Sequence, residues 1–214
     1  MIKKNLKTLI ITSIIILLPI IAGLILWHSL PDQMPMHWNA IGEVDGFAPK
    51  WVAVFLAPVF MLAVQWICAL ATSMDPKQKN IADKPMVLVL WIIPVLSILI
   101  SSIMYLVAMG CSISVETIIP GFIGITLTII GNYLPKCKQT YTLGIRLPWT
   151  LADEENWNKT HRLAGKLWTV GGIAIAMLAI VNCLWAEILV VMAMVFVPTI
   201  YSYMLYKKNI ERNK

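Results

Sequence analysis

The chain has 214 residues, of which 59% are hydrophobic and 13% charged, and its formal net charge is +6. With a mean hydropathy of +0.78 against the roughly 45–50% apolar content of a soluble domain, much of its surface must face lipid. That excludes a soluble catalytic domain and a folded basic surface for nucleic acid.

The predicted elements are helices that cross the membrane, because backbone groups in hydrocarbon need internal partners and ~20 apolar residues span it. The first is Leu6–His28. Its apolar run from Leu9 to Trp27 exceeds the ~7–15 residues of a signal-peptide core, and no small-x-small cleavage site follows, so it is read as an uncleaved helix. The connection after it, His28 to Lys50, is too short to fold alone and too apolar to be free. Pro31 and Pro35 keep it extended, while Asn39–Gly42 and Asp45-Gly46 have turn chemistry. His37, Trp38, Asn39, Gly42, Asp45 and Gly46 are its candidate ligand-binding residues. The competing reading is a tryptophan at the membrane interface beside a turn stabilised by Asp45. His37 with Asp32, Glu43 or Asp45 lacks metal-ligand spacing, so neither a metal nor a cofactor is expected.

Further spans follow at Trp51–Ala71, Met86–Met109 and Thr117–Leu134. Beyond them lies the most polar segment, containing Gly131-Asn132-Tyr133, Gly144-Ile145-Arg146-Leu147-Pro148-Trp149-Thr150 and Trp157-Asn158-Lys159-Thr160-His161-Arg162. Thr150 reads as the N-cap of a helix with Asp153, Glu154 and Glu155 in its first turn. Trp157, His161, Ala164 and Trp168 share one helical stripe. The expectation is an amphipathic helix from about Leu151, lying on the membrane surface before the fifth span, with Lys159, Arg162 and Lys166 reaching lipid phosphates. Arg146 would hold a carboxylate among Asp153, Glu154 and Glu155, or a lipid phosphate. Asn132, Gly144, Arg146, Pro148, Trp149, Thr150, Trp157, Thr160 and His161 are the candidate signalling residues. The alternative is that Arg146, Trp149 and Trp157 only anchor the chain at the interface.

The last spans, Lys166–Cys183 and Trp185–Tyr206, must be separated by a tight turn between Asn182 and Glu187, since an unbroken helix would be about twice the membrane thickness. Pro19, Pro58, Pro94, Pro120 and Pro198 should kink their helices. The expected architecture is an all-α integral membrane protein with six transmembrane helices. Its segments 1–73, 74–134 and 135–214 form one membrane domain.

Every Lys and Arg except Lys50 falls on one side of this weave, which the positive-inside rule makes cytoplasmic, together with both termini. No charge sits at mid-membrane, which argues against ion-coupled transport. The helix prolines leave a transporter or flippase for an uncharged or lipidic substrate as the alternative function. No zinc-binding helix, nucleophile elbow or phosphate loop occurs, and a His161–Asp153 or His161–Glu154 pair has no nucleophile beside it, so no enzymatic activity is expected. Cys111 and Cys183 share the outer side, but unpaired thiols are the expected state.

The segment from Gly131 to Arg162 resembles the SdpI family of bacterial membrane proteins. The loop with Pro35, His37-Trp38-Asn39, Gly42 and Asp45-Gly46 is similar to the small uncharacterised domain that commonly precedes it. The chain departs from that family at Lys138-Gln139-Thr140, where relatives tend to have Lys-Pro-Asn, and at Leu147, where threonine is frequent. The resemblance implies an immunity protein of the bacterial cytoplasmic membrane. Its implied partners are a secreted membrane-active toxin peptide at the outer face and a transcriptional repressor held at the inner loop, besides membrane lipids and without direct nucleic-acid contact.

Overall fold

The computed structural model describes residues 2–212. Lys214, counted above among the basic residues, lies outside them, as do the side chains of Lys3 and Arg212. Among the described residues, six helices are long and apolar enough to cross a membrane: Lys4–Ile25, Val52–Ser73, Asp83–Ala108, Val115–Lys136, Glu154–Ile180 and Leu184–Glu211. The fold class expected from composition therefore holds. In chain order the elements are α1 (Ile2–Ile25), β1 (Gln33–Trp38), β2 (Val44–Pro49), α2 (Ala57–Ser73), α3 (Asp83–Ala108), α4 (Val115–Tyr133), α5 (Pro148–Ala152), α6 (Glu154–Ile180) and α7 (Leu184–Arg212). Two compact units result, one of Met1–Ser73 with Met86–Glu116, the other of Met74–Pro85 with Thr117–Lys214.

In the first unit, hydroxyls and one amide join the spans. Thr12 donates to its own helix at Thr8 and Leu9, so its oxygen is free to accept from Gln65 Nε2 at 2.7 Å. Gln65 is fully buried, and its Oε1 has no partner among the described residues. Pro19 lies inside α1, where its ring removes a backbone donor. The carbonyls around it are taken up from α3: Ser97 donates to Ile16 O at 2.9 Å and the Tyr105 hydroxyl to Pro19 O at 3.0 Å. These two bonds tie α1 to α3 at the level of the proline. Pro94, Pro120 and Pro198 also lie inside helices. Pro58 lies inside the span Val52–Ser73, directly after a π-helical turn at Val52–Leu56.

The second unit is built on close approach of α4 and α6. A Cβ on Gly124 would stand 2.5 Å from Gly172 O, and one on Gly131 would stand 2.5 Å from Thr169 N and 2.9 Å from Gly165 O. The antiparallel pairs Gly124–Gly172 and Gly131–Gly165 therefore let backbone touch backbone, the usual small-residue solution where lipid gives helices no hydrophobic reason to associate. Trp168 ties α6 to α7 by donating to Met194 O at 3.0 Å. The turn between them is tighter than expected. It occupies Val181–Cys183 alone, with Asn182 at φ 52° and its side chain accepting from Thr117, while Glu187 already belongs to the first turn of α7.

Candidate functional site

The loop after α1 is a β-hairpin rather than extended chain with separate turns. Its strands pair antiparallel from Gln33–Pro49 to Trp38–Val44. Asn39 closes the tip: its Oδ1 accepts from the N–H groups of Ile41 and Glu43, and its own N–H donates to Glu43 O. Gly42 follows at φ 81°, and a Cβ there would run into the Glu116 carboxylate. Asp45-Gly46 is not a second turn. Gly46 pairs with His37 while Val44 pairs with Trp38, so Asp45 is the extra residue of a β-bulge. Its carboxylate meets His37 Nδ1. Trp38 and Met36 pack on a core of Leu30, Met34, Ala53, Val54, Met104 and Tyr105. Of the six candidates here, Asn39, Gly42 and Gly46 therefore shape the hairpin, Trp38 seats it, and His37 and Asp45 stand exposed.

In the second unit the polar segment forms a hydrogen-bonded loop. Asp75, nearly fully buried, starts it. Its Oδ1 accepts from Lys77 N at 2.7 Å, and its Oδ2 accepts from Tyr141 N at 2.9 Å and the Thr142 hydroxyl at 2.7 Å. Burial pushes this carboxyl up, yet the bonds from Thr142, Lys77 and Tyr141 outweigh it and hold the group below its ordinary value. Gln139 is the second tie: it donates to Thr150 O at 2.8 Å and Leu151 O at 2.9 Å, carbonyls that α5 leaves without helical partners. It accepts in turn from Lys77 Nζ, and its backbone carbonyl accepts from Asn80.

Gly144 (φ 112°) brings the chain against the start of α6. Ile145 N–H donates to His161 Nε2 at 2.9 Å, and His161 Nδ1 lies 2.8 Å from Trp157 O. The ring is therefore the neutral Nδ1–H tautomer, donating on one side and accepting on the other. It stacks on Trp157 with centroids 4.0 Å apart. Thr150 donates to Ile145 O and accepts from Leu147 N, and Trp157 donates to Cys137 O.

Several expectations change here. The residue that caps α6 is Asp153, whose carboxylate accepts from Glu155 N and Asn156 N; Thr150 sits inside the single turn of α5. The amphipathic stretch is not a separate helix lying on the membrane, because α6 runs unbroken from Glu154 into the fifth span. Its Trp157–His161–Ala164 stripe is buried in protein, so Trp157 is no interface anchor. Among the described residues Arg146 takes no carboxylate: it donates to Tyr141 O, while Asp153 accepts from Asn209 and Glu155 pairs with Lys159. His161 meets neither Asp153 nor Glu154, and neither ring nitrogen is left to take a substrate proton.

Trp149 is half-buried and donates to the Ser202 hydroxyl at 2.8 Å. Thr160 is buried on Asn156, whereas Pro148 and Asn132 are exposed. Asp75, Gln139, Asn156 and Ser202 were missed. The Asp75-Pro76-Lys77 turn chemistry and Gly131–Gly165 were available signals; nothing in the sequence marked Ser202. All four cysteines are free thiols.

Membrane-length helices joined by one hairpin and one braced loop define a multi-pass membrane protein. Residues 136–202 match the SdpI/YfhL protein family, and residues 14–62 match a domain of unknown function. Over 215 residues the chain is 32% identical to "Immunity protein SdpI" of Bacillus subtilis (strain 168), covering 96% of this chain and 97% of that protein. The chain belongs to the SdpI family. No solved structure matches it.

Proposed function

We propose that this protein confers immunity: it protects the bacterium that makes it from a secreted, membrane-active toxin peptide, without catalysis. The observation that carries this reading is similarity along nearly the whole chain to a protein named for immunity. In this reading, which the distribution of lysine and arginine supports, both termini and the braced loop of Asp75, Gln139 and His161 face the cytoplasm and the hairpin faces the medium. In this reading the hairpin meets the peptide. The loop, with Lys138, Arg146, Lys159 and Arg162 exposed above a buried scaffold, receives a cytoplasmic repressor. The transporter alternative rests on Pro58, Pro94, Pro120 and Pro198, and its test is flux of an uncharged or lipidic substrate in proteoliposomes.

The test is survival. A toxin-sensitive bacterium expressing the chain should grow at doses of cognate peptide that kill the same strain carrying an empty vector. Equal killing of both strains, with the protein present in the membrane, would contradict the proposal.

A further inference from the structure

The hairpin has two different faces. One, through Met34, Met36 and Trp38, is seated on the core of its unit. The other carries Asp45 and Phe47, two residues apart on β2, with Ile41 at the tip. Phe47 is 62% exposed and Ile41 68%. A soluble hairpin of this size would normally hide such side chains, so the free face is fitted to an apolar occupant.

Charge narrows the occupant. Asp32, Glu43, Asp45 and Glu116 lie in the hairpin's unit; of its lysines, Lys3, Lys4 and Lys7 begin α1, and only Lys50 follows the end of that helix beside the hairpin. Lys50 is already engaged: its ammonium donates to Trp27 O at 3.1 Å, lies over the Trp27 ring and stands 3.4 Å from Asp32. His37 meets Asp45 at Oδ1 only, and Oδ2 has no partner among the described residues. Glu43 receives a single side-chain bond, from Asn39. An anionic lipid surface is attracted by lysine and arginine and repelled by such a face. Addition of a β-strand at the edge is also disfavoured, because Pro35 and Pro49 each remove a backbone donor from their strand.

We infer that the free face of the hairpin binds a cationic, partly apolar peptide segment. A lysine or arginine is paired by Asp45 and Glu43, and an apolar side chain lies against Phe47 and Ile41. This rests on the immunity reading for its biological role, though not for its chemistry.

The test uses the full chain in phosphatidylcholine nanodiscs, with empty nanodiscs subtracted. Two probes are compared: a short peptide alternating lysine with leucine, and the same peptide with glutamate for lysine. The lysine probe should bind about tenfold tighter or more, with an affinity that falls as salt rises. The double variant Glu43→Gln/Asp45→Asn should erase that preference, and Phe47→Ser should weaken both probes, with thermal stability unchanged. Equal binding of the two probes, or a preference that survives the double variant, would overturn the inference. So would a hairpin that draws the protein to phosphatidylglycerol vesicles more strongly than to the lysine probe. A selective hairpin in a protein that fails the survival test would remove the immunity reading and leave this one standing; protection without probe selectivity would do the reverse.

Discussion

Replacing Gly144 by alanine should lower the unfolding free energy by ~2–5 kcal/mol. Two costs combine. The backbone at φ 112° disfavours any L side chain, and the added Cβ would stand 2.5 Å from His161 Nε2 and 2.8 Å from the Trp157 ring. Relief would require moving the loop off α6, which breaks the bond from Ile145 to His161. Gly110 is the internal control, with φ 86° and nothing within 4 Å of its Cβ position. Gly110→Ala should cost only the backbone part, ~1–2 kcal/mol. Thermal unfolding of both variants in detergent separates strain from contact; equal losses would show that the His161 contact contributes nothing.

Asp75→Ala should be nearly as damaging, at ~3 kcal/mol, because Lys77 N–H, Tyr141 N–H and the Thr142 hydroxyl lose their acceptor together. Asp75→Asn is expected to be milder but still harmful, since it turns an NH2 group toward one set of donors. The carboxylate also makes a specific acid dependence. Its native pKa lies below the ordinary 3.8, so its contribution is complete above the unfolded-state value and is lost as pH falls through the native one. Wild-type stability should therefore decline in this region only below about pH 4. The difference between wild type and Asp75→Asn should shrink over the same interval. A difference that stays constant from pH 7 to strong acid would show that Asp75 is not ionised in the fold.

These two residues mark where sequence reading succeeds and where it stops. The spans were legible because lipid imposes a length and an apolar composition on any helix that crosses it, a constraint local to each segment. The Trp157–His161–Ala164 stripe was legible for the same reason, as a period along one helix. Its destination was not, because burial against a loop looks the same in sequence as burial in lipid. Arg146 illustrates the same limit: three carboxylates lie nearby in sequence, but the chain geometry directs the guanidinium to a carbonyl. The hairpin escaped notice because its bulge at Asp45 breaks strict alternation and two prolines sit in its strands. Asp75 and Gln139 bond to groups far along the chain, and only the folded loop brings these together.

Gln139 braces the loop from its centre. It supplies donors to the end of α5 and an acceptor to Lys77, which a proline could not do with its side chain.

Sidedness decides whether the division of labour stands, and thiol labelling tests it most directly. In a chain whose four native cysteines are replaced, Ile41→Cys and Lys138→Cys are each exposed in intact cells to a membrane-impermeant maleimide. The hairpin position should label at once and the loop position only after the cells are permeabilised. Equal labelling of Lys138→Cys in intact cells would contradict the account, since the hairpin and the braced loop would then face the same medium.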